Sequence, residues 1–200
     1  SSSEAGTITY GGSCSSSTTS ATAGTITVTL YSLSDGTYSN CTITVTDSAG
    51  NSVTLNITSF TVAIPPTIEK VTFVTTPTND STPDYTFSSD EAGTITYGGS
   101  CSSSTTSAID GNNTITLVSL SEGTYSDCTI TVTDEAGNIS ITLTITSFIV
   151  DTTAPVISGS TITTPTNDNT PDFIISSSEA GTITYGGSCS SSTTSATAGT

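Results

Sequence analysis

The stretch that decides the fold is Gly-Thr-Tyr-Ser-Asp-Cys-Thr-Ile-Thr-Val-Thr-Asp-Glu-Ala-Gly-Asn, residues 123–138. Within it Cys128, Ile130 and Val132 alternate with threonines, which is the period of a β-strand that has one apolar face. The Asp-Glu-Ala-Gly-Asn segment that follows is typical of a turn, because Asp, Asn and Gly favour turn conformations of the backbone. The stretch therefore predicts a half-buried strand that ends in a tight turn.

The same pattern occurs at residues 36–51, and both copies belong to a longer repeat. The sequence Glu-Ala-Gly-Thr-Ile-Thr-Tyr-Gly-Gly-Ser-Cys begins at Glu4, Glu91 and Glu179, which gives periods of 87 (91 − 4) and 88 (179 − 91) residues. The extra residue lies directly after a turn, where Asn-Ile-Ser at 138–140 replaces Asn-Ser at 51–52. Self-similarity of this kind indicates tandem structural modules.

Each repeat contains only β-type patterns. Short alternating runs separated by turn residues predict about seven strands per repeat, and no segment has helical periodicity. We therefore predict an all-β chain of tandem immunoglobulin-like antiparallel β-sandwich modules. Module 1 covers residues 1–62 and lacks its first strands, module 2 covers 63–150 and is complete, and module 3 covers 151–200 and is truncated at its C-terminus. We expect such a chain to be an internal part of a longer protein.

The five cysteines follow the repeat. Cys14 and Cys41 are 27 residues apart, as are Cys101 and Cys128, and the partner of Cys189 would fall beyond residue 200. We predict one disulfide within each module. Metal ligation is the alternative use of paired cysteines, but the chain contains neither His nor a Cys-x-x-Cys motif. Disulfides predict an extracellular or cell-surface location, because the cytosol is reducing.

The charge balance restricts the partners and activities of the chain. Seventeen acidic residues stand against one basic residue, which gives a formal net charge of −16. Nucleic acid and anionic membrane surfaces would repel such a chain, and no stretch approaches the roughly 18 apolar residues of a spanning helix. We expect no nucleic-acid partner and no membrane insertion. The chain has no His and its one Lys70 is not repeated, so we predict that it is not an enzyme.

Several motifs together resemble a known family. They are Thr-Pro-Thr-Asn-Asp-x-Thr-Pro-Asp-(Tyr/Phe) at 76–85 and 164–173, Ser-x-Glu-Ala-Gly in the following loop, the pattern at 36–51 and 123–138, and Val-Asp-Thr-Thr-Ala-Pro at 150–155. In this combination they resemble bacterial immunoglobulin-like repeats of large surface adhesins and biofilm proteins. The resemblance implies two-sheet sandwiches stacked head to tail, with no required cofactor but often with calcium at the module junctions.

The resemblance also implies where calcium would bind. In an immunoglobulin-type sandwich, the loop after the second strand and the last hairpin loop lie at the end where the linker enters. Oxygen ligands in these loops suit Ca²⁺. The predicted ligands are Asp90, Glu91, Asp134 and Asn138 in module 2, with Asp151 and Glu179 at the junction with module 3. At the first junction Ala63 replaces Asp151, which argues against a site there. The alternative is that Asp and Asn occupy these loops only for their turn chemistry.

Three further features have two interpretations each. Tyr38 and Tyr125 precede the strand with the second cysteine and predict a tyrosine corner, a packing device in which the hydroxyl binds nearby backbone. Outward-facing threonines suit an ordinary β-surface, although they would also build a sugar-binding or ice-binding ladder. The Cys-Ser-Ser-Ser-Thr-Thr-Ser runs at 14–20 and 101–107 predict flexible surface loops, with O-glycan attachment as the alternative.

These features favour a structural or adhesive extracellular protein. The first hypothesis is part of a long cell-surface stalk or adhesin, in which the partners are neighbouring modules of the same chain. The alternative is a subunit of a multi-chain extracellular filament, in which identical chains are also partners. A carbohydrate-binding module is the third hypothesis. The near-identity of the repeats favours the stalk, because copies without distinct surfaces suit a spacer.

Overall fold

The computed structural model describes residues 1–199, which form strands and loops only. The strands pair in antiparallel ladders, and no described segment is helical. Accordingly, none of these residues belongs to a helix that would span a membrane. The prediction of an all-β antiparallel chain is confirmed.

The strands have the following bounds. In module 1 they are β1 Gly6–Gly11, β2 Ser20–Ala21, β3 Gly36–Tyr38, β4 Thr42–Thr46, β5 Ser52–Asn56 and β6 Phe60–Val62. In module 2 they are β7 Ile68–Thr72, β8 Asp84–Ser89, β9 Gly93–Gly98, β10 Ser107–Ala108, β11 Gly111–Thr116, β12 Gly123–Tyr125, β13 Thr129–Thr133, β14 Leu143–Thr144 and β15 Phe148–Val150. In module 3 they are β16 Ile157–Gly159, β17 Ile175–Ser177, β18 Gly181–Thr182 and β19 Ser195–Ala196.

Module 2 is a two-sheet sandwich around one core. One sheet has the strand order β10-β9-β13-β14, the other has the order β11-β8-β7, and β12 pairs with β15. Burial alternates along β8 and β13, so every second side chain of each strand enters the core. The most deeply buried members are Tyr85, Phe87, Ile115, Leu117, Ile130, Val132, Ile145, Phe148 and Val150. This arrangement confirms the predicted immunoglobulin-like sandwich.

The inserted residue of module 2 changes a strand and not only a turn. In module 1 the ladder between β4 and β5 runs without interruption from Thr42 opposite Asn56 to Thr46 opposite Ser52. In module 2 the register shifts by one residue between Ile139 and Leu143, and the Ser140 hydroxyl accepts a bond from the Val132 backbone at 3.0 Å. This is the behaviour of a β-bulge.

The bulge explains the one predicted strand of module 2 that the structure corrects. The sequence pattern predicts that Ile141, Leu143 and Ile145 close the module on one strand face. Ile145 is buried and Leu143 packs against the core, but Ile141 is 76% exposed. The register shift turns Ile141 away from the core, and the strand keeps only two residues.

The predicted disulfides are present in modules 1 and 2. Cys14 bonds to Cys41 and Cys101 bonds to Cys128, with Cα atoms 5.3 and 5.2 Å apart. All four half-cystines are buried, and each bridge links the ends of two neighbouring strands of one sheet, β1 with β4 in module 1 and β9 with β13 in module 2. Cys189 is exposed and forms no disulfide within residues 1–199.

Two local predictions about side chains have different outcomes. The hydroxyl of Tyr125 donates to the Ser121 carbonyl at 2.9 Å, and Tyr38 makes the same bond to Ser34 at 2.8 Å, so both tyrosine corners are confirmed. The serine-rich loop is more ordered than predicted. In module 2 the Ser103 hydroxyl donates to the carbonyl of Thr116 at 2.7 Å, which ties the loop to β11.

The main sheet of module 1 repeats one sheet of module 2. Its order is β2-β1-β4-β5, which corresponds to β10-β9-β13-β14, and β3 pairs with β6 as β12 pairs with β15. Residues 25–30 align with the region of β11 but form only an isolated bridge at Leu30, whereas β11 pairs with β8 over six positions. Val53 and Leu55 lie opposite Val45 and Ile43 and are 71% and 64% exposed.

We expect the disulfide of module 2 to be a major source of its stability. Replacing both Cys101 and Cys128 by Ala should lower the free energy of unfolding by about 3 kcal/mol, because the bridge closes a loop of 27 residues in the unfolded chain. Chemical denaturation followed by circular dichroism measures the change. The control is Cys189→Ala, which should leave the transition unchanged. An equal midpoint for both variants would show that the bridge contributes nothing.

A buried hydroxyl in the core predicts a stabilising substitution. The Tyr85 side chain is fully buried, its Oη atom has no hydrogen-bond partner, and burial raises its pKa. Tyr85→Phe should raise the free energy of unfolding by about 1 kcal/mol, because an unpaired buried hydroxyl costs stability. Module 3 carries Phe173 at the equivalent position. Tyr125→Phe, which deletes a bonded hydroxyl, should lower stability by about 1 kcal/mol. A loss of stability in Tyr85→Phe would contradict the assignment.

Candidate functional site at the module junctions

The predicted ligand loops of module 2 lie next to the linker that enters from module 1. Glu91 and Asp134 line an open cavity of about 290 Å³ together with Thr61 and Ala63 of the preceding strand and linker. The loop after β8 and the hairpin after β13 thus reach the same end of the module. Of the four residues predicted in module 2, the structure places Glu91 and Asp134 on this cavity.

Asp134 and Asn138 are held to each other inside the hairpin turn. The carboxylate of Asp134 accepts bonds from the Asn138 backbone N–H at 2.7 Å and from its side-chain amide at 2.8 Å. The hydrogen bond from the Asn138 side chain is the main reason why the pKa of Asp134 lies below its ordinary value. Gly137 completes the turn with a φ of +90°, which a side chain rarely permits.

The equivalent turn of module 1 shows the same chemistry. Asp47 accepts bonds from the backbone N–H and the side-chain amide of Asn51, both at 2.8 Å, and the side-chain bond again lowers the pKa of the carboxyl. Turn formation alone is therefore sufficient to account for Asp and Asn at these positions. The alternative explanation, that Asp and Asn occupy these loops only for their turn chemistry, has direct support in both modules.

Asp90 and Glu91 differ in their surroundings. Asp90 accepts a bond from the Thr67 backbone at 2.7 Å, which closes the start of module 2 onto the loop. Glu91 is partly buried, and its Oε1 atom is shielded from solvent without a hydrogen-bond partner. Its pKa is raised, first by burial and then by the nearby carboxylates of Asp35, Asp134 and Asp90. Glu91 is therefore the least satisfied acidic group at this junction.

The residues predicted for the second junction are less closely associated. The backbone N–H of Asp151 donates to the Thr78 carbonyl at 2.9 Å, and its side chain is exposed. The backbone of Glu179 bonds to the Ser177 hydroxyl within its own loop. Nowhere in residues 1–199 do three Asp, Glu, His or Cys side chains converge as a metal site requires. Calcium binding at the junctions remains a prediction.

Sequence reasoning missed a carboxylate that contacts the linker at both junctions. In module 1 the Asp35 side chain accepts a bond from the Ile64 backbone N–H at 2.6 Å. In module 2 Glu122 accepts bonds from the Thr152 backbone at 3.1 Å and from the Thr152 and Thr153 hydroxyls. The signal in the sequence is an acidic residue before the same glycine in each repeat, at 35 and 122.

The linker also affects the acidity of the Glu122 carboxyl group. The Thr153 hydroxyl is the first cause that lowers the pKa of Glu122, and the backbone and hydroxyl of Thr152 lower it further. A carboxylate that accepts several bonds from one linker stabilises the position of that linker. The chemistry of these junctions is therefore positional, since donors and acceptors are matched between a module and the chain that leaves it.

Comparison with known proteins identifies a family that module 2 matches. Residues 75–152 match the family model of the bacterial Ig-like domain. The match confirms, for this module, the resemblance that the sequence motifs indicate. A comparison with curated proteins found no match for the chain.

The bacterial Ig-like domain limits the functions to be considered. Domains of this kind are typically non-enzymatic and suggest a structural extracellular repeat. The two disulfides are consistent with an extracellular or surface protein, because such bonds persist in oxidising compartments. The fold itself identifies no ligand.

Proposed function

We propose that this chain is a non-enzymatic spacer in a long extracellular stalk or adhesin on a cell surface. The observation that carries the proposal is the repetition of the same contact between module and linker. Asp35 and Glu122, at equivalent positions, each accept a hydrogen bond from the chain that leaves their module. A repeated contact of this kind extends an array one module at a time in a constant geometry.

The outer face of the sandwich supports a spacer. Thr44 and Thr54 of module 1 share a hydrogen bond of 2.7 Å between their hydroxyls, and Thr86 and Thr114 of module 2 share one of 2.9 Å. Cross-strand bonds of this type stabilise a sheet and leave the hydroxyls already paired. The net charge of −16 keeps neighbouring stalks apart by repulsion. A passive polar surface is what a projecting spacer requires.

Sedimentation velocity and small-angle scattering of the 200-residue chain test the stalk. A stalk predicts an elongated monomer whose sedimentation coefficient does not change with concentration. A multi-chain filament, the alternative from the sequence, predicts species that grow with concentration. The experiment is done on the Cys189→Ser variant, because an exposed thiol would otherwise link chains by a disulfide. Concentration-dependent growth would overturn the stalk.

We further propose that calcium strengthens the junction between modules 1 and 2. The support is the shielded Oε1 atom of Glu91, which has no donor and lies in the field of Asp35, Asp90 and Asp134. A hard divalent cation would supply the missing positive charge and accept these oxygens as ligands. Binding would have to draw the carboxylates closer together than they are now. The first junction, where Ala63 stands at the position of Asp151, is therefore a better candidate for calcium binding than the sequence alone indicates.

The calcium proposal predicts a thermal shift that depends on Glu91. Adding millimolar calcium to the chain in place of a chelator should raise its melting temperature, because a cation bound only to the folded form stabilises it. Glu91→Gln should remove this shift, while Glu4→Gln, at the equivalent position of module 1, should retain it. An unchanged melting temperature in the unmodified chain would refute calcium binding.

A further inference from the structure

One peptide group connects modules 1 and 2. The bond between Ala63 and Ile64 lies in the linker, directly after β6. Its N–H, from Ile64, donates to the Asp35 carboxylate of module 1 at 2.6 Å. Its C=O, from Ala63, accepts a bond from the Asn138 side-chain amide of module 2 at 3.2 Å. Both modules therefore bind the same planar unit.

The geometry of a peptide group makes this double contact restrictive. The N–H and C=O of a trans peptide are rigidly coplanar and point in opposite directions. Asp35 and Asn138 consequently hold the Ala63–Ile64 plane from opposite sides. Rotation of either module about the linker would break one of the two bonds, since a single plane cannot follow both modules independently.

Each of the two side chains is itself fixed by its own module. Asp35 immediately precedes β3, and the pairing of Gly36 with Val62 places its carboxylate next to the residues that follow β6. Asn138 is held in its turn by the Asp134 carboxylate, which binds both its backbone N–H and its side-chain amide. Neither side chain needs to become ordered when the junction forms, so the contact costs little conformational entropy.

We propose that the Ala63–Ile64 peptide is a metal-independent joint that sets the angle between modules 1 and 2, with Asp35 and Asn138 as its positioning residues. The proposal deepens the stalk function and rests on it. Asn138 turns its amide nitrogen towards the linker, which is a hydrogen-bond donor and not a cation ligand. In this arrangement Asn138 acts on the linker directly.

The next junction repeats the contact that Asp35 makes with the linker. The Asp151–Thr152 peptide is the counterpart of Ala63–Ile64, and its N–H donates to Glu122 at 3.1 Å. The side chain has changed from Asp to Glu, but the bonded backbone position is the same. The Asp35 contact is therefore a feature of the array and not an accident of one linker.

The test measures the relative orientation of modules 1 and 2 by residual dipolar couplings of the backbone amides, in chelator. In the unmodified chain both modules should report one common alignment tensor. In Asp35→Ala and in Asn138→Ala, the couplings of one module should fall by at least half relative to the other. Asp35→Asn should keep the common tensor, because its side-chain oxygen still accepts the Ile64 bond.

A matched control isolates the linker contact from the turn. Asn51→Ala disrupts the same turn in module 1, where the equivalent amide has no part in this linker, and it should leave the orientation unchanged. Unchanged amide chemical shifts within each module show that the variants remain folded. The joint is overturned if Asp35→Ala keeps a common tensor, or if the unmodified chain has a common tensor only with calcium.

These outcomes are distinct from a failure of the stalk proposal. If the chains assemble into filaments, sedimentation shows it, and the couplings still report whether the two modules of one chain share an orientation. If the chain is monomeric but its modules tumble separately in the presence of a chelator, the stalk proposal still holds and only the proposed joint is refuted.

Discussion

A β-sheet with one apolar face is stable only when a second sheet covers that face, and module 2 shows the consequence of this constraint. In module 2 the two sheets enclose Tyr85, Phe87, Ile130 and Val132, and all four are buried. The Cys101–Cys128 bridge lies within the same core and stabilises it by restricting the unfolded chain.

The repeats show that a single added residue changes the structure of a nearly identical sequence. The added Ile139 converts the regular edge ladder of module 1 into a bulge in module 2.

A second constraint acts at the junctions, where the polar groups of the backbone must be paired. Backbone N–H and C=O groups of a linker need partners, and here side chains of the flanking modules supply them. Asp35 and Glu122 bind the outgoing chain, and Asn138 binds the incoming one. The Oε1 atom of Glu91 remains without such a partner. The loops that turn the chain also position the next module.

The sequence by itself determined the strand pattern, the repeat, the disulfide pairing and the tyrosine corners, because each depends on local alternation or on fixed spacing within one module. The resemblance to bacterial immunoglobulin-like repeats predicted that the loops of Glu91 and Asp134 reach the same end of module 2. Only the tertiary structure decided that Ile141 is exposed, because a register shift depends on the neighbouring strand. It alone decided that Asp35 and Asn138 share one peptide, since that contact joins residues 103 positions apart and no local pattern records it.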